Sequence, residues 1–198
     1  MHKVSLLPGE LLSFALNYLF TYHQINATSA AIGHRLSSGS WSLPGDGVIK
    51  LNFDGAMFKA SLEIGIGVVA HDSSAACVWW KSVRKRWTPE LELVEVVAAR
   101  EAVLPARRFG WRRIVLEGDC ANLHCKLSSP QADCASTGVV THDIKCLSSA
   151  FESCIFSLVR RMANKIAHCL ARKASNTGLE GPRFPPLLAE LWFSGSDI

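Results

Sequence analysis

The sequence predicts an α/β fold: a mixed sheet of five strands, three antiparallel and then parallel ones, with helices on both faces. Three observations predict it. Residues 48–86 fall into three strand-like runs separated by short turns. From residue 89 onward, segments of helical period alternate with short apolar runs. The resulting order, β-β-β-α-β-α-α-β-α, places an antiparallel meander before strands that need helical crossovers, and that combination makes a mixed sheet covered on two sides.

Each element has its own signal. Val48 to Met57 alternates apolar and polar residues, as a half-buried strand does. Ile64 to His71 is β-branched and carries Gly65 and Gly67, and Asp72-Ser73-Ser74 turns the chain. Ala76 to Arg86 holds Val78, Trp79, Trp80 and Val83. Thr88 is an N-cap candidate and Pro89 suits the first turn of a helix. That helix places Leu91, Val94, Val97, Ala98 and Ala102 on one face, and Pro105 is expected to kink or end it. Trp111 to Glu117 is the fourth strand, with a buried run at Ile114, Val115 and Leu116. A short helix from Cys120 to Leu127 follows, Pro130 interrupts, and a helix near Val139 to Phe151 comes next. Cys154 to Val159 is the fifth strand. Met162 to Ala174 is the last helix, with Ala163, Ile166, Ala167, Leu170 and Ala174 along one side.

The chain has 198 residues, which suits one domain with extensions. Residues 1–40 read as an N-terminal extension and linker ending in Ser37-Ser38-Gly39-Ser40. Residues 41–175 read as the folded domain. Residues 176–198, broken by Gly178, Gly181, Pro182, Pro185 and Pro186, read as a loose tail. No apolar run reaches the roughly 18 residues of a membrane span. Leu11 to Phe20 is apolar, but no small-residue cleavage site follows, so a short amphipathic helix fits it better than a signal peptide. The seven cysteines are odd in number and form no C-x-x-C pair, which predicts reduced thiols in an intracellular protein of the nucleus or cytoplasm. Cys120, His124 and Cys125 match no zinc spacing. A net charge of +4 permits a nucleic-acid partner without demanding one.

The chemistry-bearing residues are acids. Asp54 sits in the middle of the first strand, in Lys50-Leu51-Asn52-Phe53-Asp54-Gly55-Ala56, and Gly55 leaves room for close approach. A carboxylate buried without a partner is costly, so it usually has a role. Asp119 follows the fourth strand, where sites form in open α/β sheets. Glu95 lies on the first helix, with Glu92 and Glu101 as weaker alternatives. Three carboxylates facing one point repel unless a cation neutralises them, and an all-oxygen donor set favours Mg²⁺ or Mn²⁺. Two such ions about 4 Å apart can activate water for phosphodiester cleavage.

Five pieces in order then carry a resemblance. Trp41-x-x-Pro44-x-x-Gly47 leads into the Lys50–Ala56 run, and Gly65-x-Gly67-Val68-Val69 follows. Glu95-x-x-Ala98-Ala99-Arg100-Glu101-Ala102 comes next, then Gly110 and Glu117-Gly118-Asp119. The last is Val159-Arg160-Arg161-x-x-Asn164-x-x-Ala167-His168-x-Leu170-Ala171-Arg172-x-Ala174. Together, from Trp41 to Ala174, they resemble the ribonuclease H type-1 domain, in the retroelement-derived form common in plants. The resemblance implies a ribonuclease H-like fold. It implies that Asp54, Glu95 and Asp119 bind metal, two ions of Mg²⁺ or Mn²⁺, and that a monomer cleaves the RNA strand of an RNA–DNA hybrid. Recognition would run through the hybrid's backbone and 2′-hydroxyls. Asn52, Arg84, Lys85, Arg86, Arg160, Arg161 and Asn164, with Arg112 and Arg113, are candidate nucleic-acid contacts.

The chain departs from that pattern in two places. The active enzymes resembled here carry a fourth carboxylate on the last helix, where this chain has His168. A neutral imidazole cannot neutralise a hard cation. His168 is then expected to act beside the metals as a proton shuttle or a hydrogen-bond donor to a ligand. The fifth strand also runs almost directly into Arg161, without room for a mobile histidine loop. The competing reading is a catalytically weak or inactive nucleic-acid-binding module of the same fold.

Overall fold

A computed structural model describes residues 41–86, 91–129 and 137–183, with the side chains of 91 and 92 outside the description. Ten backbone elements position the site: β1 (Ile49–Phe58), β2 (Glu63–His71), β3 (Cys77–Arg86), α1 (Leu91–Arg108), β4 (Arg113–Gly118), α2 (Ala121–Ser128), α3 (Gly138–Ser148), β5 (Ser153–Leu158), α4 (Lys165–Arg172) and β6 (Leu179–Gly181). The sheet order is β5-β4-β1-β2-β3-β6. β1 is the hinge of the topology. It pairs antiparallel with β2, where Asp54 lies opposite Gly67, and parallel with β4, where Asn52 lies opposite Glu117. A parallel neighbour cannot be reached by a hairpin, and α1 supplies the crossover from β3 to β4. Among the described residues no helix is long and apolar enough to cross a membrane.

The alternation along β1 sorts the two faces. Leu51 and Phe53 point into an apolar core with Ile64, Ile66, Val68 and Trp79 of the meander and Val94, Ala98 and Ala102 of α1. Each fully buried aliphatic side chain there contributes about 1.5–3 kcal/mol. Lys50, Asn52 and Asp54 point to the other face, which α4 covers with Ala167, Leu170 and Ala171. α4 approaches β2 very closely. A Cβ on Gly65 would strike the Ala171 carbonyl, and one on Gly67 would strike the backbone of Ala167 and Ala171. The two glycines therefore let a helix lie directly on a strand, and that seating brings His168 over β1.

The expected fold class stands, with differences in detail. The sheet has six strands rather than five. Within the segment read as a loose tail, Leu179–Gly181 pairs with β3, and the Trp80 indole donates to the Arg183 carbonyl at 2.9 Å. Gly178, read as a breaker, has φ +60 and makes the turn into this short strand. Pro105 does not end α1. The helix runs on to Arg108, losing only the bond proline cannot donate, because Ala102, Val103 and Ala106 are fully buried around it. It stops at Gly110, φ +68, where Gly110 N–H donates to Arg107 and Trp111 N–H to Ala106, a Schellman closure. The last helix is divided, a 3-10 turn at Arg161–Asn164 preceding α4. The cap candidates Thr88 and Pro89, the break at Pro130, and Cys134 lie outside the described residues, as do the proposed extension 1–40 and the tail beyond residue 183. The six described cysteines are all free thiols.

Candidate metal centre

Asp54, Glu95 and Asp119 come together, with one ligand oxygen from each within 4.8 Å of the others. Three local features converge them. Asp54 is carried by the central strand. Asp119 directly follows Gly118, the last residue of the parallel neighbour β4. Glu95 is delivered by α1, which packs against Gly55: a Cβ there would collide with the Val94 side chain and carbonyl. It is the sole such group of three metal-ligating side chains among the described residues. Cys120, His124 and Cys125 form none.

The electrostatics are those of a site built for positive charge. Asp54 is 1% exposed, and its Oδ1 has no hydrogen-bond partner. Glu95 Oε2 is likewise buried and unpartnered. Native proteins leave few buried polar atoms unsatisfied, so two in one cluster mark an absent partner. Burial, then the charges of Asp54 and Asp119, push the Glu95 carboxyl up to about 9. Burial also raises Asp54, against the opposing hydrogen bond from His168. Oxygens sharing one octahedral Mg²⁺ lie at most about 4.2 Å apart, close to the 4.8 Å within which these three oxygens fall. The donor set and spacing fit a hard divalent ion.

His168 stands where the sequence places it. Its Nδ1 lies 2.8 Å from Asp54 Oδ2, a hydrogen bond across the cluster. Arg161 Nε lies 3.4 Å from Asp119 Oδ2, and its side chain is 71% exposed. Asn164 donates to the Phe53 carbonyl at 2.8 Å and to Asp119 Oδ1 at 3.4 Å.

Two of the candidate nucleic-acid contacts lie inside the protein. Asn52 and Asn164 are buried, and each is consumed inside the protein. Asn52 donates to Glu117 Oε2 at 3.0 Å and to Asn164 Oδ1 at 3.3 Å, and accepts from the Trp41 indole at 2.8 Å. Glu117 in turn forms an ion pair with Lys50 at 3.1 Å, with both side chains at most 5% exposed. Lys50 also donates to the Ser42 carbonyl at 2.6 Å. This buried network beneath the carboxylates was missed in the sequence, although Lys50, Asn52 and Asp54 share one face by strand period. Lys85 is held by Glu101 at 2.5 Å, on the α1 side of the sheet, and Lys81 reaches the same carboxylate at 2.8 Å. Those two ion pairs remove Glu101 as an alternative to Glu95; the Glu92 side chain lies outside the described residues. Arg84 stacks on the Phe58 ring at 3.6 Å and lies 3.7 Å from Glu63. Arg112 pairs with Glu152, and Arg113 donates to the Asp46 carbonyl at 2.9 Å. Arg86 and Arg160 are exposed.

Solved structures share this fold. Ribonuclease H1 from the halophilic archaeon Halobacterium salinarum superposes with a TM-score of 0.56 at 21% identity, covering 64% of this chain and 96% of that one. The N-terminal ribonuclease H domain of a Mycobacterium tuberculosis protein gives 0.58 at 17% identity, over 64% and 98%. A ribonuclease H1 isolated from compost, solved in complex with an RNA/DNA hybrid, gives 0.57 at 16% identity, over 65% and 97%. No curated protein matches the chain in sequence. A family model described as reverse transcriptase-like matches residues 52–174, more than half of the sequence and every element from β1 to α4 that builds the carboxylate cluster. The chain has a ribonuclease H-like fold and belongs to the reverse transcriptase-like family.

Proposed function

We propose that this protein is a metal-dependent endoribonuclease that cleaves the RNA strand of RNA–DNA hybrids. The observation that carries the reading is the cluster of Asp54, Glu95 and Asp119, with two buried oxygens that have no hydrogen-bond partner. A bound divalent ion would supply Lewis-acid activation of a water and charge neutralisation at the phosphate. The chain's own residues do the rest. Asn164 and Arg161 hold Asp119, and His168 fixes Asp54. Exposed Arg161, 3.4 Å from Asp119, and its exposed neighbour Arg160 are the candidates to meet a phosphate. The compost ribonuclease H1 bound to a hybrid supports the choice of substrate.

One observation favours a second reading, a binding module with little turnover. His168 occupies an oxygen of Asp54 and brings no negative charge to the ions. A labelled hybrid incubated with the protein and Mg²⁺ or Mn²⁺ separates the two. Cleavage of the RNA strand, lost in a folded Asp54→Asn protein, is the expected result. Tight hybrid binding without cleavage would establish the second reading, and neither binding nor cleavage would remove both.

A further inference from the structure

We infer that the free protein holds a single divalent ion at this centre, and that His168 closes the position a second ion would need. The inference rests on the metal-centre reading above and concerns how many ions these residues accept. Two ions about 4 Å apart must be bridged by shared oxygen donors. Asp54 lies on β1, against which both β4 and α1 pack, and its Oδ2 is already bonded to His168 Nδ1 at 2.8 Å. Oδ1 is the Asp54 oxygen without a hydrogen-bond partner, and Glu95 Oε2 is in the same state. Asp119 is engaged on both oxygens, by Asn164 and Arg161 at 3.4 Å each.

Charge leads to the same count. Three carboxylates and one divalent ion leave one negative charge, and the Arg161 guanidinium faces it. A second ion would leave a positive excess that the Arg161 guanidinium adds to rather than offsets. An Asp at residue 168 would supply the missing negative charge; a histidine does not. α4 is fixed by its seat on Gly65 and Gly67, so the imidazole frees Oδ2 only by turning its ring away.

The test is Mn²⁺ titration of the full metal-free chain, by calorimetry for the count and by electron paramagnetic resonance for the spacing. The expected result is one ion per chain with the six-line spectrum of an isolated Mn²⁺. His168→Asp should bind two, with the spectrum broadened by a close pair. Two ions in the unaltered protein would overturn the inference and leave the nuclease reading intact. A His168→Asp protein that is folded by circular dichroism and still binds one ion would also overturn it. No ion at all would overturn the metal-centre reading itself. One ion with no cleavage of hybrid would leave the inference standing and remove the nuclease reading. Should His168→Asp fail to fold, the count in the unaltered chain decides alone.

Discussion

At neutral pH the metal-free protein holds a proton on Glu95, because burial and two neighbouring carboxylates push that group up to about 9 from 4.5. In the unfolded chain the same group is ionised above about 4.5. The folded state therefore binds more protons between those values, and stability falls as pH rises from about 4.5 to about 9. Asp54, raised for the same reason, adds to the fall with the same sign. Glu95→Gln should flatten this part of the curve in urea denaturation at stepped pH without metal, and parallel curves for the two proteins would refute the assignment. Lys50 is a second case. Lys50→Met leaves the Glu117 carboxylate buried without its ion partner and should cost about 3–5 kcal/mol. Adding Glu117→Gln keeps an acceptor for Asn52 while removing the lone charge, so the double variant should recover most of that loss in urea titrations. A double variant as unstable as the single would show that the ion pair is not the cause.

The elements around the site are placed by what they lack as much as by what they carry. Gly65 and Gly67 remove two side chains, and α4 descends onto β2 in the space they leave. Gly67→Val would put three carbons where the backbone of α4 lies, so the helix must lift or unfold. The expected cost exceeds the 1–3 kcal/mol of ordinary overpacking, with faster amide exchange across Ile166–Ala171 than across α1. Uniform destabilisation with α4 still protected would show that the helix tolerates the displacement. The same elements show where local signals lose to tertiary ones. Pro105 is a strong breaker by local rules, yet one forfeited hydrogen bond is outweighed by the buried stripe that continues past it. Gly178 is a breaker that begins a strand, because the positive φ it supplies returns the chain to the β3 edge.

Among the described residues, part of the basic charge is taken up in ion pairs within the protein. Lys50, Lys81, Lys85, Arg100, Arg108 and Arg112 all sit in ion pairs with carboxylates. The exposed Arg161, 3.4 Å from Asp119, with its exposed neighbour Arg160 is the place for phosphate contact that lies beside the carboxylates. Binding of a hybrid should weaken with salt, and Arg160→Ala with Arg161→Ala should reduce the log–log slope by up to about 2. An unchanged slope would move the contact surface elsewhere. The element order and the three acids were legible because strand alternation, helical period and turn residues are local properties. The sixth strand, the Lys50–Glu117 pair and the inward roles of Asn52 and Asn164 were not. Each joins residues far apart in the chain, and an Asn or Lys reads the same whether it meets water or a buried partner. Asp54 and His168 lie 114 positions apart, and the seating of α4 brings them into contact.

The Lys50–Glu117 pair also has a bearing on descent. Two opposite charges sealed under a sheet cannot change independently without passing through an intermediate with a lone buried charge. Among kindred chains the two residues should therefore be inherited or replaced jointly, Lys four positions before the first aspartate and Glu two before the second. Where one survives without the other, its neighbours at the positions of Trp41 and Asn52 should have changed as well.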